Sequence, residues 1–482
     1  MHHIPGFNLS SRRRFLEQAG LGCGSLALAS LLHSEGVLAN ESQGTNPLAP
    51  AAPHFPAKAK AVIWLFQTGS PSQVDTFDYK PELQKRNGQQ LAGADPKTGF
   101  FTTSGKCLRS PFKFKQYGQS GAWISEIFPH VSQHADEIAF VYSCFSQSNN
   151  HTPAMLELNS GFIRQGFPSL GSWLTYGLGS ENTNLPAYVV MHGKKPRGGD
   201  PVWSSGFLPS VYQATALDPR QATPINNLAR PTELTDRQQR SLLDALQIAN
   251  RRHASTRPFD RDLSARLESF ELAYRMQVAA PEAFDINRET AATQRAYGLE
   301  RSASKDYGRQ CLIARRLIER GVRFVQVFAD VAKTPGGGVN DVPWDAHSDI
   351  SQNHGTCAAS VDQPTGALLS DLKRRGLLQD TLVIYGGEFG RTSDSQGSKG
   401  RDHNPNAFTT WFAGGGIKGG VQYGASDEFG YKATENRVAA HDLHATILKL
   451  MGFDHERLTY RFNGRDFRLT DVAGEVVEEL IA

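Results

Sequence analysis

The sequence predicts an α/β fold on a single doubly wound sheet, and two observations carry that prediction. Short runs rich in strand formers, at 61–66, 138–144, 185–191, 323–328, 382–385 and 408–412, alternate with amphipathic helical patterns. Several of these runs empty into Gly-, Pro- or Ser-bounded loops that hold acids and histidines, the place where open α/β sheets keep their ligands.

Bulk properties bound the function. The 482 residues are enough for a large core, and 39% are hydrophobic, so the 46 glycines and 25 prolines read as loops, not disorder. A formal net charge of +3 is nearly balanced and gives no reason to expect nucleic acid. Of the five cysteines, Cys107, Cys144, Cys311 and Cys357 are widely spaced with no C-x-x-C pair, which argues against a zinc–thiolate site.

Taken in order, the chain opens on Ser11-Arg12-Arg13-Arg14-Phe15-Leu16, which resembles a twin-arginine export motif, followed by an apolar stretch at 19–32 too short to span a bilayer. The expected organisation is a signal peptide at 1–39, a Pro/Ala-rich tether at 40–57 and a domain at 58–482 with a helical insertion at about 230–310. The mature protein is then expected outside the cytoplasm, with no membrane span.

The first strand leads into Gln67-Thr68-Gly69-Ser70-Pro71, with Asp75 as the nearest carboxylate, and 80–120 reads as an irregular insertion. A helix is expected at 124–135. The next strand feeds Asn149-Asn150-His151-Thr152-Pro153 into a helix, a polar entry suited to an anion. Asp345 and His347 follow the strand at 323–328. Glu388 and Arg391 follow that at 382–385, and Asp402 and His403 precede the run at 408–412.

Asp75, Asp345, His347, Glu388, Asp402 and His403 would converge if one sheet carries them all. Carboxylate and imidazole donors without thiolates suit zinc, manganese or iron, and the acid-heavy set also suits magnesium or calcium. Such a cation polarises a phosphoryl or sulfuryl oxygen, and Arg391 or Arg401 would clamp the anion. Against this, Glu388 is also placed to pair with Arg391. His441 and His444, three apart at a helix start, read as helix residues with Asp442 as a cap.

The export motif, GSPSQVDTFD, WDAH, GEFGRT, GRDHNP, AGGGIKGG and HDLHATIL together resemble a family of exported proteins of unknown function, abundant in planctomycete-type bacteria and placed in the alkaline phosphatase and sulfatase superfamily. The resemblance covers nearly the whole mature chain. It implies an alkaline phosphatase-like three-layer α/β/α sandwich and a metal-dependent hydrolase of phosphate or sulfate esters, acting on a small molecule or a polysaccharide. The other reading is a degenerate relative that binds an anionic glycan or a partner protein without turnover. HTPAMLELNSG is similar to the sulfatase signature, with His151 where the formylglycine cysteine would stand, so that mechanism is excluded. His151 is then a nucleophile, a metal ligand or a proton-transfer group, with Thr152 as the competing nucleophile; the metal or proton-transfer role is favoured.

Overall fold

The computed structural model describes residues 46–482 apart from 92, 96, 222–223, 226–227, 231, 256–260 and 333–341. The expected signal peptide and the start of the tether lie outside the described residues. From residue 47 the expected tether is laid against the domain. Ala51 N donates to Leu178 O at 3.0 Å and Lys58 N to Leu450 O at 2.8 Å.

Eight strands form the central sheet: β1 (Ala61–Phe66), β2 (Ile138–Cys144), β3 (Tyr188–Met191), β4 (Thr215–Leu217), β5 (Phe324–Phe328), β6 (Thr381–Gly386), β7 (Phe408–Ala413) and β8 (Gln422–Tyr423). Their spatial order is β8-β2-β7-β6-β1-β5-β3-β4. All run parallel except β7, which is antiparallel to β6 and β2 on either side. β1 is central, paired in parallel with β5 and β6.

The central strands are buried along their whole length, because helices cover both faces. Their residues alternate between two cores: Ile63, Val325, Val383 and Trp411 in one, Val62, Phe324, Leu382 and Phe412 in the other. The first core is closed by α5 (Lys305–Ile318) and α6 (Ile350–Arg374). The second is closed by α1 (His151–Ser160), α2 (Leu170–Leu178) and α7 (Ala440–Leu450). This is the expected three-layer sandwich. Two long helices, α3 (Asp236–Ser255) and α4 (Arg261–Phe284), fall between β4 and β5 in the chain. Among the described residues no helix is long and apolar enough to cross a membrane.

The expected helix at 124–135 is not there. Ala122–Ser125 pairs with Phe114–Tyr117 as a hairpin, and a 3-10 helix at Val131–Glu137 follows. Pro129 explains the break, since proline in a helix interior removes a hydrogen bond and clashes with the preceding turn.

Candidate active site

The site lies past the carboxyl ends of β1, β2, β5 and β6. β6 ends at Gly386, and the loop that follows carries Glu388 and Arg391 out. A two-residue ladder, His403 opposite Arg391 and Asn404 opposite Gly390, brings it back into β7. Because β7 is antiparallel, both ends of this loop stay at one edge of the sheet, so Glu388 and His403 both reach His151 although 15 positions separate them.

The loop after β1 forms the floor. Gly69 has φ +92°, and a Cβ there would sit 2.8 Å from Asp345 N and 2.9 Å from Trp344 N, so only glycine lets the backbones approach. Ser70 also has positive φ (68°), a strained state for a non-glycine. The strain is held by Ser70 Oγ, which accepts from Phe389 N at 3.0 Å, while Gly69 N donates to Glu388 Oε1 at 2.9 Å. Trp344 ties the Asp345 loop to the same floor. Its backbone N donates to Thr68 O at 3.1 Å and its Nε1 to Gln67 Oε1 at 3.0 Å.

Three donor atoms converge above this floor. Asp345 Oδ1 lies 2.8 Å from His347 Nε2 and 3.1 Å from His403 Nε2, and the two nitrogens are 3.1 Å apart. The second ring nitrogens fix which atoms carry protons. His403 Nδ1 is 2.6 Å from the backbone oxygen of Asn149, an obligate acceptor, so Nδ1 holds the hydrogen. His347 Nδ1 lies 2.5 Å from the Gln396 side-chain amide. His403 Nε2 therefore presents a lone pair toward His347 Nε2 and the Asp345 carboxylate. Such a cluster calls for a cation.

The spacing fits one. Ligands held at about 2.0–2.1 Å lie roughly 3.3 Å apart around a tetrahedral ion and roughly 2.9 Å around an octahedral one. Outward Nδ1–H bonds to carbonyl oxygens are also how metal-binding histidines are oriented. Among the described residues, two groups of ligand-type side chains could hold a metal: His151, Asp345 and His403, and His347, Asp402 and His403.

Electrostatics agree with a neutral His403 ring and an ionised Asp345. Burial pushes the His403 imidazole down to about 3, reinforced by the Arg391 charge. Burial works to raise the Asp345 carboxyl, but the Arg391 charge beside it holds it well below the usual carboxylate range. Arg391 Nη2 reaches Asp345 Oδ1 at 2.7 Å and also donates to Gly69 O.

His151 is the first residue of α1, whose N-cap is Asn150. Its Nδ1 sits 2.6 Å from Glu388 Oε1, and its Nε2 points toward Asp345 Oδ2 at 3.4 Å. Burial works to lower the His151 pKa, but contacts with Asp345 and Glu388 raise it. His151 Nε2, Glu388 Oε2 and Arg391 Nη1 are all buried without a hydrogen-bond partner. Three orphaned polar atoms within one cluster are what a site built for a ligand leaves behind.

Not every expected residue joins this cluster. Asp75 is fully buried with both oxygens engaged: Arg401 Nε at 2.6 Å and Ser72 Oγ at 2.5 Å on Oδ2, and Arg401 Nη2 at 3.2 Å on Oδ1. An acid so saturated is a structural ion pair, and Arg401 is spent with it. Arg391 was expected to clamp an anion, but its guanidinium is buried against Asp345 and the Gly69–Ser70 backbone, leaving only Nη1 free. Asp402 Oδ1 accepts from His403 N at 2.8 Å and Oδ2 from Phe101 N at 2.5 Å, with His347 Nδ1 3.7 Å away. Thr152 makes a backbone bond to Asn150 Oδ1 at 3.3 Å and no hydrogen bond to the cluster. His444 donates from Nε2 to Leu158 O at 2.7 Å inside the core.

Gly69, Asn149 and Gln396 are site residues that sequence reasoning did not single out. Only Gly69 had a signal, the Gly-Ser-Pro turn after a strand. Phe100 and Phe101, from the stretch expected to be an irregular insertion, stand over the histidines. Their ring centroids lie 5.7 Å from His403 and 5.0 Å from His347.

Solved structures share the general architecture at low identity. A protein in the alkaline phosphatase superfamily from Vibrio parahaemolyticus has 9% identity over 89% of this chain and 75% of its own, with a TM-score of 0.39. The PsFucS1 sulfatase from Pseudoalteromonas sp. has 13% identity over 83% and 68%, at 0.36. The phosphonate monoester hydrolase SpPMH from Silicibacter pomeroyi has 10% over 82% and 74%, at 0.35. No curated protein sequence matches the chain. Residues 59–481 match the profile of a protein family of unknown function, DUF1501, and the chain therefore belongs to that family.

Proposed function

We propose that this protein is an exported, metal-dependent hydrolase of phosphate or sulfate esters that forms no covalent enzyme intermediate. The observation that supports it is the convergence of His347 Nε2, His403 Nε2 and Asp345 Oδ1 within 3.1 Å of one another. Those three side chains would hold a divalent cation, zinc or manganese on the nitrogen content, magnesium or calcium if the acids dominate. When bound, such a cation polarises an ester oxygen and lowers the pKa of a water.

The chain's own residues supply the rest. Glu388 takes the Nδ1–H of His151, which leaves Nε2 as the atom that accepts or returns a proton. Gly69 N holds Glu388 in place from below. Arg391 Nη1, buried and unpartnered, is the one guanidinium N–H left to meet an ester oxygen. Thr152, with no bond to the cluster, is a poor candidate for the nucleophile.

A second reading, an anion-binding protein without turnover, would use the buried, unpartnered Arg391 Nη1. Elemental analysis of the purified protein, run beside a panel of phosphomonoesters, phosphodiesters and sulfate esters, separates the two. Bound metal with turnover that His403→Ala abolishes supports the hydrolase. Ligand binding with no turnover supports the second reading, and absence of metal overturns the metal-dependent hydrolase.

A further inference from the structure

Two phenylalanines stand in solvent directly beside the histidine cluster. Phe100 and Phe101 are 50% and 49% exposed, an unfavourable state for adjacent large apolar side chains. Their rings meet at 75° with centroids 5.1 Å apart, forming an open V. One arm lies on His403 and the other stands edge-on to His347.

Their position is fixed by the backbone, and each anchor is a site residue. Asp402 Oδ2 accepts from Phe101 N at 2.5 Å while its other oxygen accepts from His403 N. Asn149, whose backbone oxygen orients His403, donates from its side chain to Gly99 O at 2.9 Å and Thr98 O at 3.3 Å. Asn406 Nδ2 donates to Thr98 Oγ1 at 3.3 Å. A Cβ at Gly99 would fall 2.2 Å from Asp402 Oδ2, so the approach needs glycine. The groups that aim His403 therefore also aim the two rings.

We propose that Phe100 and Phe101 form a leaving-group subsite that selects esters whose alcohol carries a ring, aryl or pyranose, over esters of small acyclic alcohols. The inference rests on the hydrolase reading above and deepens it. A ring bound in the V gains apolar contact and an edge or face interaction with each phenyl group, and neither is open to a methyl ester. The anionic group of the same molecule would then lie over the histidines that the rings touch.

The test uses the full chain with zinc or manganese added, as wild type, Phe100→Ala/Phe101→Ala and Phe100→Leu/Phe101→Leu, with metal content measured on each. Substrates are phenyl phosphate, glucose 1-phosphate and methyl phosphate, and the corresponding sulfates. In the alanine variant kcat/KM for the ring esters is expected to fall about tenfold further than for the methyl ester. Comparing each substrate across variants cancels differences in leaving-group chemistry. Loss confined to the phenyl esters, not restored by leucine, identifies an aryl alcohol. Loss on glucose 1-phosphate as well identifies a sugar. Equal loss on all three substrates, or no loss, overturns the subsite. If nothing is hydrolysed the hydrolase reading fails, and calorimetry with phenylphosphonate and methylphosphonate still decides the subsite. A preference for phenylphosphonate that the alanine variant loses supports it; no preference in the wild type overturns it.

Discussion

Replacing Asp75 by alanine tests whether this acid holds the fold or a metal. In the structure Asp75 and Arg401 are both fully buried and joined through Arg401 Nε at 2.6 Å and Nη2 at 3.2 Å. Without Asp75 the guanidinium keeps only carbonyl partners, Thr392 O and Leu108 O, each at 2.9 Å. Removing one partner of a buried ion pair costs about 3–5 kcal/mol, mostly because the other charge stays buried and uncompensated. For a unit spanning Pro47–Ala482, roughly 430 residues, the entropy of unfolding is about 0.9 kcal/mol/K, so the melting temperature should fall by about 3–6 °C. Burial works to raise the Asp75 carboxyl, but Arg401 holds it below the usual range. Its contribution is thus full above pH about 4 and is lost as the pH falls through the lower folded value. The assay is thermal unfolding of Asp75→Ala at neutral pH, with metal content measured on the same samples. Asp75→Leu/Arg401→Met should recover much of the loss, since well-packed apolar residues replace buried pairs at little cost. A variant that lost metal while its melting temperature held would refute the structural assignment.

Four further outcomes are expected. His403→Ala should lower metal content and the melting temperature of the metal-loaded protein together, since a cation bound only by the folded state stabilises it; unchanged stoichiometry would remove His403 from the site. His444 is buried with a pKa pushed down to about 3 by burial, so its neutral form stabilises the fold above pH 6.5 and that stability drains away as the pH falls; between pH 6 and 4 the loss is on the order of 2–3 kcal/mol, and denaturant titration of His444→Leu should lack that share of the slope. Rapid-quench analysis with a labelled substrate should trap no phosphate on His151 or Thr152, and a phosphorylated residue there would end the non-covalent reading. Arg12→Lys/Arg13→Lys should hold the precursor in the cytoplasm, as cell fractionation would show.

The layers were legible because burial on both faces forces continuous apolar runs. Ala61–Phe66 and Ile138–Cys144 have the bounds their composition suggested. The direction of β7 was not, since an apolar run carries no sign of which way it is threaded. The stretch at 124–135 was misread because Ile124, Phe128, Val131 and Ala135 recur at helical spacing. That periodicity also arises when a strand, a Pro129 turn and a 3-10 helix each put apolar groups in the core. Asp345, His347, Glu388 and His403 were findable as acids and imidazoles just outside strand ends. Asp75 satisfied the same rule and failed it, because its partner Arg401 is distant in sequence. Phe100 and Phe101 were hidden for the opposite reason: their loop has no periodicity, and hydrogen bonds to Asn149 and Asp402 place it.

The reversal of β7 also governs when the site can exist. Its two neighbours in the sheet are β6, just before it, and β2, which is translated far earlier. Seating β7 between them draws His403 against His347 and beneath Asn149, the residue that follows β2 by five positions. A nascent chain that has not yet released residue 413 therefore offers His151, Asp345 and His347 but no third imidazole and no closed loop. On the reading proposed above, cation capture is in this sense a late event in the life of the polypeptide. It waits for a strand that must insert between two already placed, and an ion bound there reports that the centre of the sheet is complete.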